Sequence, residues 1–293
     1  MKLFALPASA ADLLERCTFP RPGTHVSCAV SGGADSLALL ALAAAHGCDV
    51  TAIHVDHGLR PGSDAEADVV ARAASVVGAT FRSERVDVSP GPNLEARARD
   101  ARYGVLPADV LTGHTADDQA ETLLLNLLRG SGRAGLGAMR PERRPLLALR
   151  REETHRLCDE LGWDRVEDPS NLDPAHRRNR VRRELLPLLC DIAQRDVVPV
   201  LARQAALMRD ESDLLAELAA TLDARDAAAV AAAPVALARL AVRQWLREDT
   251  GGPHPPDAAA VERVLAVARG EVVATEVAGH RVARTAGRLR VEG

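Results

Sequence analysis

The first half of the chain alternates short apolar, β-branched runs with helical stretches, and this alternation constrains the fold more than any other feature. Strands are predicted at residues 25–31, 50–56, 80–88 and 109–113. Helices are predicted after them, at residues 34–46, 65–78, 94–103 and 116–129. Repeated β-α units of this size are typical of an open parallel sheet with helices on both faces. We therefore expect an α/β fold with a Rossmann-like parallel sheet.

The pattern changes in the last third of the chain. Residues 196–248 are rich in alanine and leucine at helical spacing, and residues 271–292 alternate apolar and polar side chains, which predicts short strands. Two domains are the usual expectation for a chain of 293 residues. We place one domain at residues 1–190 and a second, smaller, mainly α-helical domain at residues 191–293.

Cysteine usage and the amino-terminal sequence indicate the cellular compartment in which the protein is expected. The five cysteines are scattered and include no C-x-x-C pair, so neither a disulfide framework nor a zinc or iron–sulfur site is indicated. The chain begins without the long apolar core of a signal peptide, and it lacks the run of about 20 apolar residues that a membrane span needs. We expect a cytoplasmic protein with no membrane association. A monomer and a homodimer both stay open.

A short turn after the first strand carries the strongest chemical signal, and its residues are Ser31, Gly32, Gly33, Ala34, Asp35 and Ser36. Two glycines let the backbone approach an anion, and the helix that follows offers free N–H groups and the positive end of its dipole. Asp35 is suited to hold a Mg²⁺ that bridges phosphate oxygens. A plain helix cap is the alternative, but the full S-G-G-x-D-S pattern favours a site for the phosphates of ATP.

The near absence of lysine restricts how such a site can work. Lys2 is the only lysine of the chain, so no Walker-type lysine can clamp the phosphates. Backbone amides, arginine and a metal ion must do so instead. The S-G-G-x-D-S turn resembles the PP-loop of the N-type ATP pyrophosphatases, which cleave ATP between the α and β phosphates and adenylate a substrate.

Further polar motifs follow in a fixed order along the chain. They are I-H-V-D-H-G-L-R at 53–60, N-L-E-A-R-A-R-D-A-R-Y at 93–103, H-T-A-D-D-Q-A-E-T at 114–122, E-D-P-S-N at 167–171 and R-N-R-V-R at 178–182. Together they resemble the tRNA(Ile)-lysidine synthase family across about residues 26–190. The resemblance implies ATP and Mg²⁺ as cofactors, and it implies two partners, free L-lysine and an isoleucine tRNA with a CAU anticodon.

The resemblance and the chemistry of the side chains together suggest roles for individual residues. The expected catalytic residues are Asp35, Arg102, His114, Asp118 and Glu121. Asp35 and Asp118 are the expected metal ligands, and an acidic cluster suited to a cationic amino acid comprises Asp117, Asp118 and Glu121. Arg99 is the alternative to Arg102 as an α-phosphate contact, and His57 is equally compatible with a site role and with a position at the rim.

An arginine-rich stretch suggests where a polyanion binds. Residues 129–183 contain fourteen arginines against nine acids, although the whole chain carries a net charge of −4. Clustered arginines bind nucleic-acid backbones through charge. The expected tRNA contacts are Arg177, Arg178, Arg180 and Arg182. The alternative is a solvated run of arginines, or one that pairs with Glu167 and Asp168.

Three rival functions share parts of this pattern. A tRNA thiolase with the same loop would need catalytic or cluster-binding cysteines in a C-x-x-C arrangement. An NAD or GMP synthetase would act on a small nucleotide and would leave the arginine cluster unexplained. A regulatory protein that senses ATP without turnover would not need the complete set of acids, histidine and arginines that the motifs contain.

Overall fold

The computed structural model of the chain describes residues 4–56, 58, 64–87, 94–167, 173–251 and 256–292. It separates into two compact units, Met1–Ala206 and Leu207–Gly293. The sequence pattern places a division at residue 190, and the contacts of the chain place it between Ala206 and Leu207. Within the described residues, no helix is both long and apolar enough to cross a membrane.

The first unit is built on a four-stranded parallel sheet. Its strands are β1 (His25–Ala29), β2 (Asp49–Asp56), β3 (Thr80–Arg85) and β4 (Leu111–Thr112). The strand order is β3-β2-β1-β4, and each neighbouring pair is parallel. The sheet and the helices between its strands confirm the fold expected from the sequence, with every strand ending one to three residues before its predicted end except β2.

Helices fill the remainder of this unit. They are α1 (Ala11–Glu15), α2 (Ala34–His46), α3 (Asp64–Val77), α4 (Leu94–Val105), α5 (Ala116–Leu128), α6 (Arg133–Leu136), α7 (Arg151–Glu160), α8 (Arg177–Arg180) and α9 (Leu186–Ala193). A π-helical turn at Val181–Leu185 joins α8 to α9, and α10 (Val198–Ala220) begins in the first unit and continues into the second.

Helix α2 forms the centre of the first core. Its leucines Leu37, Leu39, Leu40 and Leu42 are completely buried, because β1, β2, α3 and α7 all pack against the helix. A helix that is apolar on every side is stable only when it is enclosed in this way. Its enclosure fixes the position of its first turn, which carries Asp35.

The second unit has a core of its own. It contains α11 (Ala227–Ala232), α12 (Val235–Thr250) and α13 (Ala258–Arg269), followed by an antiparallel sheet of β5 (Ala274–Val277), β6 (His280–Thr285) and β7 (Arg288–Glu292). Trp245, Leu246, Leu265 and Leu289 are buried together between these elements. The three strands confirm those predicted from the alternation of residues 271–292.

The cysteines behave as core residues. All five are free thiols, with Cys28, Cys48 and Cys158 buried and Cys17 and Cys190 half-buried. Burial raises the pKa of the Cys17 and Cys158 thiols to about 12. Thiols with such pKa values form little thiolate near neutral pH and are correspondingly unreactive.

Candidate active site

The S-G-G-x-D-S turn forms a compact loop between β1 and α2. The Ser31 amide donates to Ser36 Oγ over 3.1 Å, and Ser36 Oγ in turn donates to the carbonyl oxygen of Gly33 over 2.8 Å. Gly33 has an extended backbone and directly precedes α2, with no side chain to cap the helix. The loop therefore presents the unsatisfied N–H groups of a helix start, as an anion-binding turn requires.

Glycine is required at position 32 for two reasons. Its backbone has φ +85°, a left-handed conformation that other residues rarely adopt. A Cβ atom at this position would lie 2.6 Å from Val166 Cγ2, and the Val166 amide donates to the Gly32 carbonyl over 2.9 Å. The segment that leads into the E-D-P-S-N motif therefore packs directly against the loop. Residues 168–171 of that motif lie outside the described residues.

The end of β4 also touches the first turn of α2. A Cβ atom added to Gly113 would lie 2.4 Å from the Asp35 carbonyl oxygen and 3.0 Å from the Ser36 amide nitrogen. Both contacts are with backbone atoms, which cannot rotate away. The H-T-A-D-D-Q-A-E-T motif, which begins at the next residue, is thereby held beside the S-G-G-x-D-S turn.

We expect Gly113→Ala to reduce the free energy of unfolding by about 2 kcal/mol, because the added methyl group has to displace packed backbone. Gly104→Ala is the matched control, since nothing lies within 4 Å of the Cβ position at Gly104 in α4. Alanine in place of a helical glycine should stabilise that variant slightly. Urea unfolding of both variants measures the difference, and equal midpoints would contradict the close approach.

The start of α5 is organised by Asp118. Its Oδ2 accepts hydrogen bonds from the Thr115 amide over 2.9 Å and from Thr115 Oγ1 over 3.1 Å. This capping arrangement fixes the carboxylate and leaves its Oδ1 for other partners. His114 directly precedes Thr115 in the chain. Its side chain is half-buried, with its Nδ1 atom 2.7 Å from Thr112 Oγ1.

One arginine connects the two motifs. The guanidinium of Arg151, the first residue of α7, lies 2.9 Å from Asp118 Oδ1, 3.0 Å from Glu121 Oε1 and 3.5 Å from Asp35 Oδ2. Its side chain is largely buried. The structure thus brings three of the expected catalytic residues, Asp35, Asp118 and Glu121, into one ion-pair network around a residue that the sequence analysis did not select.

Two arginines of the R-N-R-V-R motif complete this network. Arg178 and Arg182 each donate from Nε to Glu121 over 2.7 Å, and the Glu121 side chain has no exposed surface. Arg178 also lies 3.0 Å from Asp118 Oδ1. Residues 178 and 182 are four apart, so the helical backbone points both side chains the same way. These two expected tRNA contacts therefore face the acidic residues of α5.

The other two expected tRNA contacts lie on the surface. Arg177 and Arg180 are both exposed, and Arg180 forms an exposed i,i+4 ion pair with Glu184 at 2.9 Å. The arginine cluster is thus divided between a half-buried pair, Arg178 and Arg182, and a surface pair. Neither member of the surface pair takes part in the contacts with Asp118 and Glu121 described above.

Asp117 has a separate set of partners. Arg150 donates to both of its carboxylate oxygens over 3.1 and 3.2 Å, and the Arg151 amide donates to Oδ2 over 2.8 Å. Burial opposes ionisation, but these donors outweigh it and hold the pKa of Asp117 below its ordinary value. Asp117 is therefore ionised and fixed by α7.

The pKa values of Asp35 and Asp118 are shifted in opposite directions. Burial, reinforced by the charge of Asp118, raises the pKa of Asp35 to about 6 even though Arg151 and Thr154 oppose the shift. Burial also disfavours the ionised form of Asp118, but Arg151 and Arg178 outweigh it and lower its pKa to about 2. Two neighbouring carboxylates with separated pKa values are a frequent feature of active sites.

This shift predicts a pH-dependent stability that depends on Asp35. Its pKa rises from an ordinary 3.8 to about 6, so the folded protein binds more protons than the unfolded protein between these values. The stabilising contribution is complete below the lower value and is lost as the pH rises through the higher one. Asp35→Asn should lack this loss. Urea unfolding of both proteins at about pH 4 and about pH 7 measures it, and a parallel change in both would contradict the prediction.

One further expected catalytic residue lies on another element. Arg102 is half-buried on α4, with its guanidinium carbon 5.4 Å from the ring centroid of Tyr103. The side chain of Arg99, the alternative phosphate contact, lies outside the described residues, as does His57. Asp56 of the I-H-V-D-H-G-L-R motif is buried at the end of β2. Its Oδ1 accepts a hydrogen bond from the Gly58 amide over 2.8 Å.

Arg150, Arg151 and Thr154 are site residues that the sequence analysis missed. Thr154 Oγ1 donates a hydrogen bond to Asp35 Oδ1, which joins α7 directly to the S-G-G-x-D-S turn. The available signal was the pair of arginines at the start of α7. Positive charge is unfavourable near a helix amino terminus, so an arginine pair there indicates acidic partners elsewhere in the fold.

Comparisons with known proteins agree with this geometry. Residues 8–189, more than half of the chain, match the family described as the PP-loop domain. A tRNA(Ile)-lysidine synthase of Nocardia farcinica is 45% identical over 255 residues, which cover 81% of this chain and 80% of that protein. One of Rhodococcus erythropolis is 45% identical over 242 residues, covering 77% and 74%.

This chain belongs to the tRNA(Ile)-lysidine synthase family. Family membership confirms the expectation drawn from the ordered motifs. Among solved structures, a U34-tRNA thiolase of Methanococcus maripaludis superimposes with a TM-score of 0.54 at 15% identity, covering 69% of this chain and 78% of that one. At this identity the similarity extends to the fold alone.

Proposed function

We propose that this family member joins free lysine to C2 of the wobble cytidine in an isoleucine tRNA with a CAU anticodon. ATP is consumed, diphosphate and AMP are released, and the lysidine formed changes the codon read from AUG to AUA. The observation that carries the proposal is the ion-pair network in which Arg151 connects Asp35 of the PP-loop to Asp118 and Glu121 of α5. In this proposal the nucleotide site and the site for the cationic substrate are therefore adjacent.

In the first step the C2 carbonyl oxygen of the cytidine attacks the α-phosphorus of ATP, and the bond to the β-phosphate breaks. The amides and hydroxyl groups of Ser31, Gly32, Gly33, Ala34 and Ser36 bind the diphosphate that leaves. Arg102 contacts the α-phosphate and stabilises the charge that develops there. No lysine is available for this clamp, so arginine and backbone groups supply its positive charge.

The two carboxylates Asp35 and Asp118 suit a Mg²⁺ ion. They offer hard oxygen ligands, and both contact the same guanidinium, so their oxygens converge on one cationic group. Within the described residues no group of three or more His, Cys, Asp or Glu side chains could hold a metal. Mg²⁺ commonly uses one or two carboxylates together with substrate phosphates. When bound, the ion neutralises charge on the phosphates of ATP.

In the second step the ε-amine of lysine attacks C2, the bond to the adenylate oxygen breaks, and AMP leaves. Asp117, Asp118 and Glu121 bind the lysine in this proposal, since each already binds a cationic group in the structure. His114 accepts the proton that the attacking amine loses, because histidine titrates near neutral pH and this residue adjoins Asp118.

Arg177, Arg178, Arg180 and Arg182 are the proposed tRNA contacts. Arg177 and Arg180 are exposed and suited to phosphate groups, whereas Arg178 and Arg182 lie beside the catalytic acids and suit the end of the anticodon loop that enters the site. The small second unit is proposed to add tRNA contacts. A cytoplasmic location stays a prediction, and the choice between a monomer and a homodimer stays open.

Incorporation of radiolabelled lysine into a CAU-anticodon isoleucine tRNA transcript tests the proposal. We expect labelling that requires both ATP and Mg²⁺, with one AMP released for each lysine joined. A transcript in which only the wobble cytidine is replaced by guanosine is the matched control and should stay unlabelled. Protein that binds ATP but labels neither transcript would refute the proposed substrate.

A further inference from the structure

A single guanidinium spans the two carboxylates that are the proposed ligands of Mg²⁺. Arg151 Nε lies 3.5 Å from Asp35 Oδ2, and another nitrogen of the same group lies 2.9 Å from Asp118 Oδ1. The side chains are mostly buried, with exposed fractions of 18% for Arg151, 25% for Asp35 and 11% for Asp118. A guanidinium and a divalent cation satisfy the same carboxylate oxygens and cannot both occupy this position.

We propose that Arg151 holds the position of the active-site cation, and that Mg²⁺ binds by displacing its guanidinium from Asp35 and Asp118. The inference rests on the proposed function, because it takes these two carboxylates as the metal ligands. It assigns to Arg151 the role of a positioning residue that keeps the ligands together and neutralised until the metal arrives.

Electrostatics favour exchange over simultaneous binding. The three carboxylates Asp35, Asp118 and Glu121 face the guanidinium groups of Arg151, Arg178 and Arg182, so the network is balanced in charge. A divalent ion added beside all three guanidinium groups would leave an excess of two positive charges, with repulsion that is strong at separations of about 4 Å. Release of the Arg151 guanidinium lowers this repulsion and frees that group to contact the phosphates that arrive with the metal.

The surroundings of Arg151 allow its side chain to move while its backbone stays fixed. Its amide donates to Asp117 Oδ2 over 2.8 Å. Thr154 Oγ1 donates its hydroxyl proton to Asp35 and so maintains the direction of that carboxylate when the guanidinium leaves. Glu121, 3.0 Å away, provides a contact that the displaced group retains.

Binding of Mn²⁺ to the nucleotide-free protein, measured by electron paramagnetic resonance of the free ion, tests the exchange. We expect Arg151→Gln to bind Mn²⁺ about tenfold more tightly than the wild type, because a competing charge is gone. Arg156→Gln is the matched control, since it removes an exposed arginine from the same helix and should leave the affinity unchanged. Arg151→Lys keeps the charge but cannot span both carboxylates, and an intermediate affinity is expected.

The double variant Arg151→Gln/Asp35→Asn separates the two ways in which the idea can fail. Loss of the tight Mn²⁺ binding in this variant supports the exchange. Equal affinities of the wild type, Arg151→Gln and Arg151→Lys would overturn the exchange while leaving an Asp35-dependent metal site intact. Binding that persists unchanged in the double variant would overturn the metal assignment of the proposed function and the inference with it. Circular dichroism confirms that each variant is folded.

Discussion

Replacing Asp35 with alanine is expected to reduce lysine incorporation by about a thousandfold, the loss typical of removing one preorganised electrostatic group from an active site. Asp35 lies on the first turn of the enclosed helix α2, where Thr154 and Arg151 fix its carboxylate. Among the described residues, the neighbouring carboxylate of Asp118 cannot replace it, because Asp118 is already held at the start of α5 by Thr115. The rate of ATP-dependent labelling measures the loss.

The comparison with an isosteric variant identifies the cause of the loss. Asp35→Asn keeps the size of the side chain and an oxygen that can accept from Thr154, but it removes the charge. It should be almost as inactive as the alanine variant. Asp164→Asn, at a side chain that is 85% exposed, is the control and should retain full activity. Activity of Asp35→Asn within tenfold of the wild type would rule out charge as the contribution of this residue.

Replacing Glu121 with glutamine is expected to lower the free energy of unfolding by about 3 kcal/mol, because breaking a buried ion pair strands its partners. The Glu121 side chain has no exposed surface and accepts hydrogen bonds from Arg151, Arg178 and Arg182. Without its charge, three guanidinium groups face only the two carboxylates of Asp35 and Asp118. Urea unfolding followed by circular dichroism measures the change.

A surface ion pair provides the control for this prediction. Glu184 pairs with Arg180 at 2.9 Å, but both side chains are more than half exposed. Glu184→Gln should change the free energy of unfolding by less than about 0.5 kcal/mol, since exposed ion pairs contribute little. Equal effects of the two substitutions would show that the network around Glu121 is not structural.

The arginine-rich segment was only partly predictable from the sequence. The run of residues 177–183 indicates a binding surface, and its charge alone cannot tell which arginines face outward. The structure directs Arg178 and Arg182 towards Glu121, and it leaves Arg177 and Arg180 exposed. The spacing of four between the inward pair was visible in the sequence. The acid that they meet was not, because it lies about sixty residues earlier in the chain.

The sequence by itself determined the parallel sheet, the phosphate-binding turn and the family. Each depends on patterns that are local in the sequence. These are the alternation of apolar residues, the glycines of the turn and the order of short polar motifs. Only the tertiary structure decided that Arg151 joins Asp35 to Asp118 and Glu121. That contact requires α7 to pack against α2, and such packing follows from the burial of whole helix faces rather than from the residues that meet in the site.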